Sequence, residues 1–142
     1  MNIRANAAAA NSSTPAIEGA THGWDCYSSA CPSRLVLNRL ADKWALLILG
    51  TLSGGPVRFN ELRRRIDGVS QKMLSQTLKN LERDGLICRR AYATVPVTVE
   101  YAMTELGETL AETIIALRVW TATHMDNILA AQSAYDAAMR AK

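Results

Sequence analysis

The chain has little with which to build a reaction centre. Of its 142 residues two are histidines, His22 and His124, and three are cysteines, Cys26, Cys31 and Cys88. No two cysteines have the two-residue spacing of a zinc motif, and three thiols do not make a disulfide framework within one chain. There is no carboxylate cluster and no glycine-rich phosphate loop, so no enzyme is expected, no cofactor and no metal. Apolar runs of about 18 residues are missing, as are the basic head and apolar core of a secretory leader. No membrane partner is therefore expected, and the cytoplasm is the expected compartment.

What is present is organised by one stretch, residues 59–90, FNELRRRIDGVSQKMLSQTLKNLERDGLICRR. It holds nine Lys or Arg against four acids, a local balance of +5 in a chain whose total is +3, when Arg58 just before it is included. The rest of the chain therefore sums to −2. Such segregation concentrates attraction for a polyanion on one part of the surface.

Within the stretch, Ser70 is a good N-cap after Asp67-Gly68 and Gly85 suits the C′ position, which predicts a helix over 71–84. Met73, Leu74, Thr77, Leu78 and Leu81 are its expected inward face, while Lys72, Ser75, Gln76, Lys79 and Arg83 face outward. A shorter helix, 61–66 with Asn60 as cap, precedes it and turns Leu62 and Ile66 inward. Arg63, Arg64 and Arg65 share no inward face, so at least two are expected to be solvated and free for phosphates. The order is helix, turn, helix, then a change of period: strands are expected over 86–92 and 97–103, joined by 93–96, as a wing. Arg89 and Arg90 at its base suit a minor groove or backbone, or alternatively a pairing with Glu82 or Glu100. The expected partner is double-stranded DNA, with Gln71, Lys72, Ser75, Gln76 and Lys79 toward the major groove and Arg63, Arg64, Arg65, Arg83, Arg89 and Arg90 toward phosphates or the minor groove.

The flanks complete the reading. Residues 1–24 are Ala, Asn, Ser and Thr, too poor in large apolar groups to offset ordering, and are expected to be a disordered tail ahead of a domain at 25–142 whose DNA-binding core is 43–104. A helix is expected from Cys31-Pro32, with an apolar stripe of Leu35, Val36 and Leu40. Asp42 caps a helix over 43–52 with Trp44, Leu47, Ile48 and Leu52 in the main stripe, Trp44 being a packing residue. Val57-Arg58-Phe59 suits a minimal strand beside the wing. Thr104 caps a last helical segment, 105–139, in one piece or broken near 119–123, with Leu106, Leu110, Ile114 and Leu117 recurring on one face. Its length exceeds what a small core requires, which points to a homodimer with Leu35, Ile114, Leu117, Trp120 and Ile128 at the interface. A two-fold pair of recognition helices suits a palindromic operator.

The runs CPSRLVLNRLADKWALLIL (31–49), GPVRFNELRRRIDGVSQKMLSQTLKNLERDGLICRRAY (55–92) and VPVTVEYAMTELGETL (95–110) resemble those of HxlR-type winged-helix transcriptional regulators, a group related to the MarR type. The resemblance covers nearly everything from Cys31 onward. It implies a mainly α fold with a β-hairpin wing, N- and C-terminal dimerisation helices, and a homodimeric repressor or activator. It also implies that the position of Cys31, just before the proline, is one where some members sense electrophiles or oxidants. Physically, a cysteine at a helix start has its thiolate favoured by unsatisfied N–H groups, and Cys31 read more plainly is an N-cap that only packs. Cys26 departs from the family pattern as a second candidate thiol, and Cys88 reads as a small structural residue. The alternative function is a protein-interaction adaptor on the same winged scaffold.

Overall fold

The computed structural model describes residues 23–142, so the expected tail, with His22, lies outside the described residues save for Gly23 and Trp24. The elements, in order, are α1 (Pro32–Leu40), α2 (Lys43–Leu52), β1 (Val57–Arg58), α3 (Phe59–Arg65), α4 (Gln71–Arg83), β2 (Ile87–Tyr92), β3 (Thr98–Met103) and α5 (Glu105–Arg140). This is the expected fold class, mainly helical with a small antiparallel sheet in the order β1-β3-β2. Two compact units divide the chain, one ending at Leu37 and the other running Asn38–Lys142, so the boundary falls inside α1.

In the first unit two turns lead into α1: Ser28 N–H donates to the Asp25 carbonyl and Cys31 N–H to that of Ser28, each at 3.1 Å. Pro32 opens the helix, where its missing N–H leaves nothing unsatisfied. No residue of α1 is fully buried, and Leu35 in its expected stripe is exposed.

The core of the second unit is centred on α2. Asp42 caps it, accepting from Trp44 N–H at 2.9 Å and Ala45 N–H at 3.3 Å. Packed by α4 and α5 on two sides, the helix turns Ala45, Ile48, Leu49 and Leu52 inward. Leu47, expected in the main stripe, is exposed: it lines an open groove beside Ile115 and Leu117 of the last helix instead of entering the core. Trp44 packs partly buried against the core, as expected. Leu62, Leu74, Leu78 and Leu81 close the core from α3 and α4. Each such side chain stabilises by about 1.5–3 kcal/mol, which outweighs any surface ion pair of this molecule.

The sheet places the wing. β2 and β3 pair from Ile87↔Met103 to Tyr92↔Thr98, and β1 adds Val57↔Tyr101 and Arg58↔Glu100, the minimal strand expected beside the wing. After it, Thr104 caps α5 with its hydroxyl accepting Gly107 N–H at 3.1 Å. The last segment is one unbroken helix of 36 residues, with no interruption at 119–123. Only Gly107 and Ile114 of it are fully buried. Ile114 therefore corrects the expected interface set: it is 3% exposed and belongs to its own chain's core. It reaches that core beside Gly50, where a β-carbon would stand 3.7 Å from the Ile114 methyl, an ordinary contact, and 3.1 Å from the Arg118 guanidinium at the end of a flexible side chain.

Candidate nucleic-acid interface

α4 is defined at both ends by its sequence. Ser70 Oγ accepts Met73 N–H at 3.1 Å. At the other end Gly85 has φ +78°, Leu86 N–H reaches the Leu81 carbonyl and Gly85 N–H that of Glu82, each at 3.0 Å. This is the Schellman pattern that a C′ glycine permits. Leu74, Thr77, Leu78 and Leu81 are buried as expected, and the Thr77 hydroxyl is satisfied by the Met73 carbonyl at 2.7 Å. Met73 itself is exposed, contrary to expectation. It stands one position, about 100° of helix rotation, away from Leu74 and so falls at the margin of the stripe.

On the opposite face Gln71, Lys72, Gln76, Lys79 and Arg83 are all exposed and Ser75 is half-buried. The four long side chains of Lys72, Gln76, Lys79 and Arg83 recur at steps of four, three and four, so they form one ridge. Gln76 Nε2 touches Asn80 Oδ1 at 3.4 Å, a weak contact that leaves the amide available.

The preceding helix differs from its expected boundaries. It starts at Phe59, with Arg58 as an N-cap that makes no side-chain bond, so Asn60 lies inside the first turn. The cause is the pairing of β1: Arg58 is held extended, at φ −74° and ψ 151°, opposite Glu100, and the chain enters the helix directly after it. Leu62 and Ile66 are buried as expected. Arg63, Arg64 and Arg65 are all exposed, but Arg64 and Arg65 are not free, because both pair with Glu61, Arg65 Nε at 3.0 Å. The spacing of three and four residues makes this a local helical contact, screened by water and exchangeable.

Between α3, β1 and the wing lies a cleft of about 860 Å³ bordered by Arg58, Arg64, Arg65 and Arg89 together with Glu61 and Glu100. Arg58 entered the sequence reading as charge and as part of the minimal strand, not as a site residue; its place in the cleft follows from the Arg58↔Glu100 register. Arg89 and Arg90 are exposed, and the pairing with Glu82 or Glu100 is not formed among the described residues. Glu100 instead accepts from the Tyr92 hydroxyl at 3.2 Å.

One strong ion pair was missed. Arg39, in the last turn of α1, makes a bidentate contact with Asp84, Nε to Oδ2 and a terminal nitrogen to Oδ1, each at 2.7 Å. The Asp84 side chain is only 11% exposed, and the contact holds the Arg39 guanidinium above its ordinary pKa. Asp84 is the C-cap of α4, where a carboxylate opposes the helix dipole unless a cation meets it. That misplaced acid was the available sequence signal.

In the first unit, Cys31 Sγ lies 3.3 Å from the Asp25 N–H nitrogen and 3.1 Å from Ser33 Oγ. The Ser33 hydroxyl first, then the backbone N–H groups of Asp25 and Ser33, lower the thiol below its ordinary pKa, against the opposing effects of burial and the Asp25 charge. Cys26, Cys31 and Cys88 are all unpaired and half-buried. On α5, Leu117 and Trp120 are exposed and Ile128 is half-buried, as an unpartnered stripe would be. Leu117 borders an apolar groove of about 710 Å³ with Leu46, Leu47, Ile115 and Val119. No helix among the described residues is long and apolar enough to cross a membrane.

Comparison with known proteins agrees with this layout. The family model for HxlR-like helix-turn-helix proteins matches residues 39–129. The HTH-type transcriptional regulator YtfH of Escherichia coli K12 is 46% identical over 104 residues, 73% of this chain and 82% of that one. The structure of a transcriptional regulator ytfH from Salmonella typhimurium is 41% identical, covers 78% of this chain and 98% of its own, and superposes with a TM-score of 0.74. The redox regulator HypR in its oxidised form is 35% identical, with 66% and 96% of the two chains covered and a TM-score of 0.61. With a winged helix-turn-helix fold, a family model over most of its length and regulators rather than enzymes among these relatives, the chain belongs to the HxlR-like helix-turn-helix family of transcriptional regulators.

Proposed function

We propose that the protein is a dimeric, sequence-specific DNA-binding repressor whose binding responds to an electrophile or oxidant through Cys31. The carrying observation is α4: a capped helix with a buried face of Leu74, Thr77, Leu78 and Leu81 and a ridge of Lys72, Gln76, Lys79 and Arg83 presented to solvent. Such a ridge suits the major groove, where Gln76 reads an adenine edge and the lysines reach guanine edges or phosphates. Arg63, Arg64, Arg65, Arg89 and Arg90 then meet the flanking backbone or the minor groove.

α5 supports dimerisation. Its 36 residues extend far past Ile114, its last fully buried position, and carry Leu117, Val119, Trp120, Leu129, Tyr135 and Met139 exposed. A second copy packed along α5 would cover part of this apolar surface and set two recognition helices against the half-sites of a palindrome. The lowered thiol of Cys31, together with the likeness to a redox regulator, supports the sensing role.

Retardation of genomic fragments across a salt series tests the reading, with sedimentation of the free protein alongside. A specific fragment whose affinity falls steeply with salt, bound by a dimer, is expected. Binding of no fragment at low salt would favour the adaptor alternative. Binding that is indifferent to peroxide and quinone would keep the repressor and remove the sensor.

A further inference from the structure

Cys26 is a thiol that the DNA-binding reading does not use. It sits in the turn immediately before α1, and two side chains one helical turn apart clasp its backbone. Cys31 Sγ receives the N–H of Asp25 at 3.3 Å. Arg34 Nε donates to the Cys26 carbonyl at 2.9 Å and its terminal nitrogen to the Tyr27 carbonyl at 2.7 Å. The segment Asp25–Tyr27 that carries Cys26 is thus held against the start of α1, beside Cys31. By backbone dimensions alone, the Cys26 α-carbon is within about 8 Å of the Cys31 sulfur. Four residues, Tyr27 to Ala30, separate the two cysteines, and all four are exposed, so no core packing opposes closure.

We propose that Cys26 is the resolving thiol for Cys31 and that oxidation joins them in an intrachain disulfide. This deepens the sensor reading above and rests on it. The oxidant is a hydroperoxide. The Cys31 thiolate attacks one peroxide oxygen, the O–O bond breaks, and the released alkoxide takes a proton to leave as an alcohol. Cys31, oxidised by two electrons, is then a sulfenic acid. The Cys26 thiolate attacks that sulfur, an S–S bond forms, the S–O bond breaks, and the hydroxide leaves as water with the proton lost from Cys26. Two thiols and one hydroperoxide give one disulfide, one alcohol and one water. The Ser33 hydroxyl and Asp25 N–H beside the Cys31 sulfur favour its thiolate, which makes it the attacking thiol and Cys26 the resolving one.

The arrangement has a second consequence. A sulfenic acid with a thiol in reach is diverted before a second peroxide drives it to the irreversible sulfinic acid. The test is peptide mass mapping of the full-length protein after one equivalent and then an excess of hydrogen peroxide, with and without prior reduction, for wild type and Cys26→Ser. Wild type is expected to give a linked 26–31 peptide, monomeric on a non-reducing gel, with only traces of sulfinic acid. Cys26→Ser is expected to lose the linkage and to carry sulfinic acid at Cys31 in most chains under excess peroxide. Cys26→Ser is close to isosteric at a half-buried turn position, and retained binding to DNA when reduced would show that it folds. A disulfide between two chains, or Cys31 oxidised to sulfinic acid equally in both proteins, would overturn the role of Cys26 while keeping Cys31 as sensor. A Cys31 that stays reduced while peroxide oxidises the methionines would overturn the sensor reading itself.

Discussion

Gly107→Ala offers a sharp reversal of an ordinary rule. In an exposed helix interior that change stabilises by about 1 kcal/mol. Here a β-carbon on Gly107 would penetrate the carbonyl oxygen of Leu86 and lie 3.1 Å from its carbon and 3.5 Å from its α-carbon. These are backbone atoms with no rotamer to change, so α5 must retreat by about 1 Å to restore ordinary contact. Retreat stretches the bond from Thr104 N–H to Leu86 O, now 3.1 Å, and loosens the one from the Thr104 hydroxyl to Gly85 O, now 2.5 Å. Two hydrogen bonds at about 0.5–1.5 kcal/mol each and an overpacking cost of about 1–3 kcal/mol exceed the helical gain. The net expectation is a loss of about 1–5 kcal/mol. Urea unfolding at one fixed protein concentration measures it, since a dimer's stability varies with concentration. Gly50→Ala is the control, because there the β-carbon meets the end of the Arg118 side chain, which can swing aside. A stabilised Gly107→Ala, or one within about 0.5 kcal/mol of wild type, would refute the reasoning.

Three further outcomes are expected. Gln76→Ala should weaken operator binding by about 1–3 kcal/mol and random duplex hardly at all, as read by anisotropy; equal losses on both would move Gln76 to the backbone contacts. Glu61→Gln removes the carboxylate that occupies Arg64 and Arg65, and should tighten binding to any duplex by about two- to fivefold at low salt, an effect that shrinks as salt rises. Unchanged or weaker binding would mean that these arginines do not meet phosphate. Ser33→Ala should raise the pH at which Cys31 becomes alkylable by iodoacetamide. The sign follows from the lowered pKa: the reactive thiolate forms as pH rises through that value, and loss of the Ser33 hydrogen bond moves it back toward an ordinary thiol. Coincident pH profiles would assign the lowering to another cause.

The recognition helix was legible because its information is local. Ser70 and Gly85 mark its ends, and the spacing of Leu74, Thr77, Leu78 and Leu81 marks its buried face. The Glu61 pairs with Arg64 and Arg65 were legible in the same way, at three and four residues, although attention to net charge hid them. What was not legible depended on which surface meets which. Periodicity puts Ile114 and Leu117 on one face of α5, but only the packing of α5 against α2 decides that the first enters this chain's core while the second stays outside. The Arg39–Asp84 pair spans 45 residues, so no local pattern joins it, and only the awkward acid at a helix end hinted at a partner. Asn60 failed as a cap because strand pairing at Arg58, a tertiary event, chose the helix start.

Thr104 gives α5 the character of a lever. Its N–H donates to Leu86 O, and its hydroxyl at once donates to Gly85 O and accepts from Gly107 N–H. One small residue is thereby fastened to the tail of the recognition helix, to the root of the wing and to the first turn of the long helix. With 36 residues α5 measures about 54 Å, so a tilt of about 5° about Thr104 carries its far end through about 5 Å. Small differences in angle at this junction are therefore large differences in position at the far end, where the exposed Tyr135 and Met139 lie.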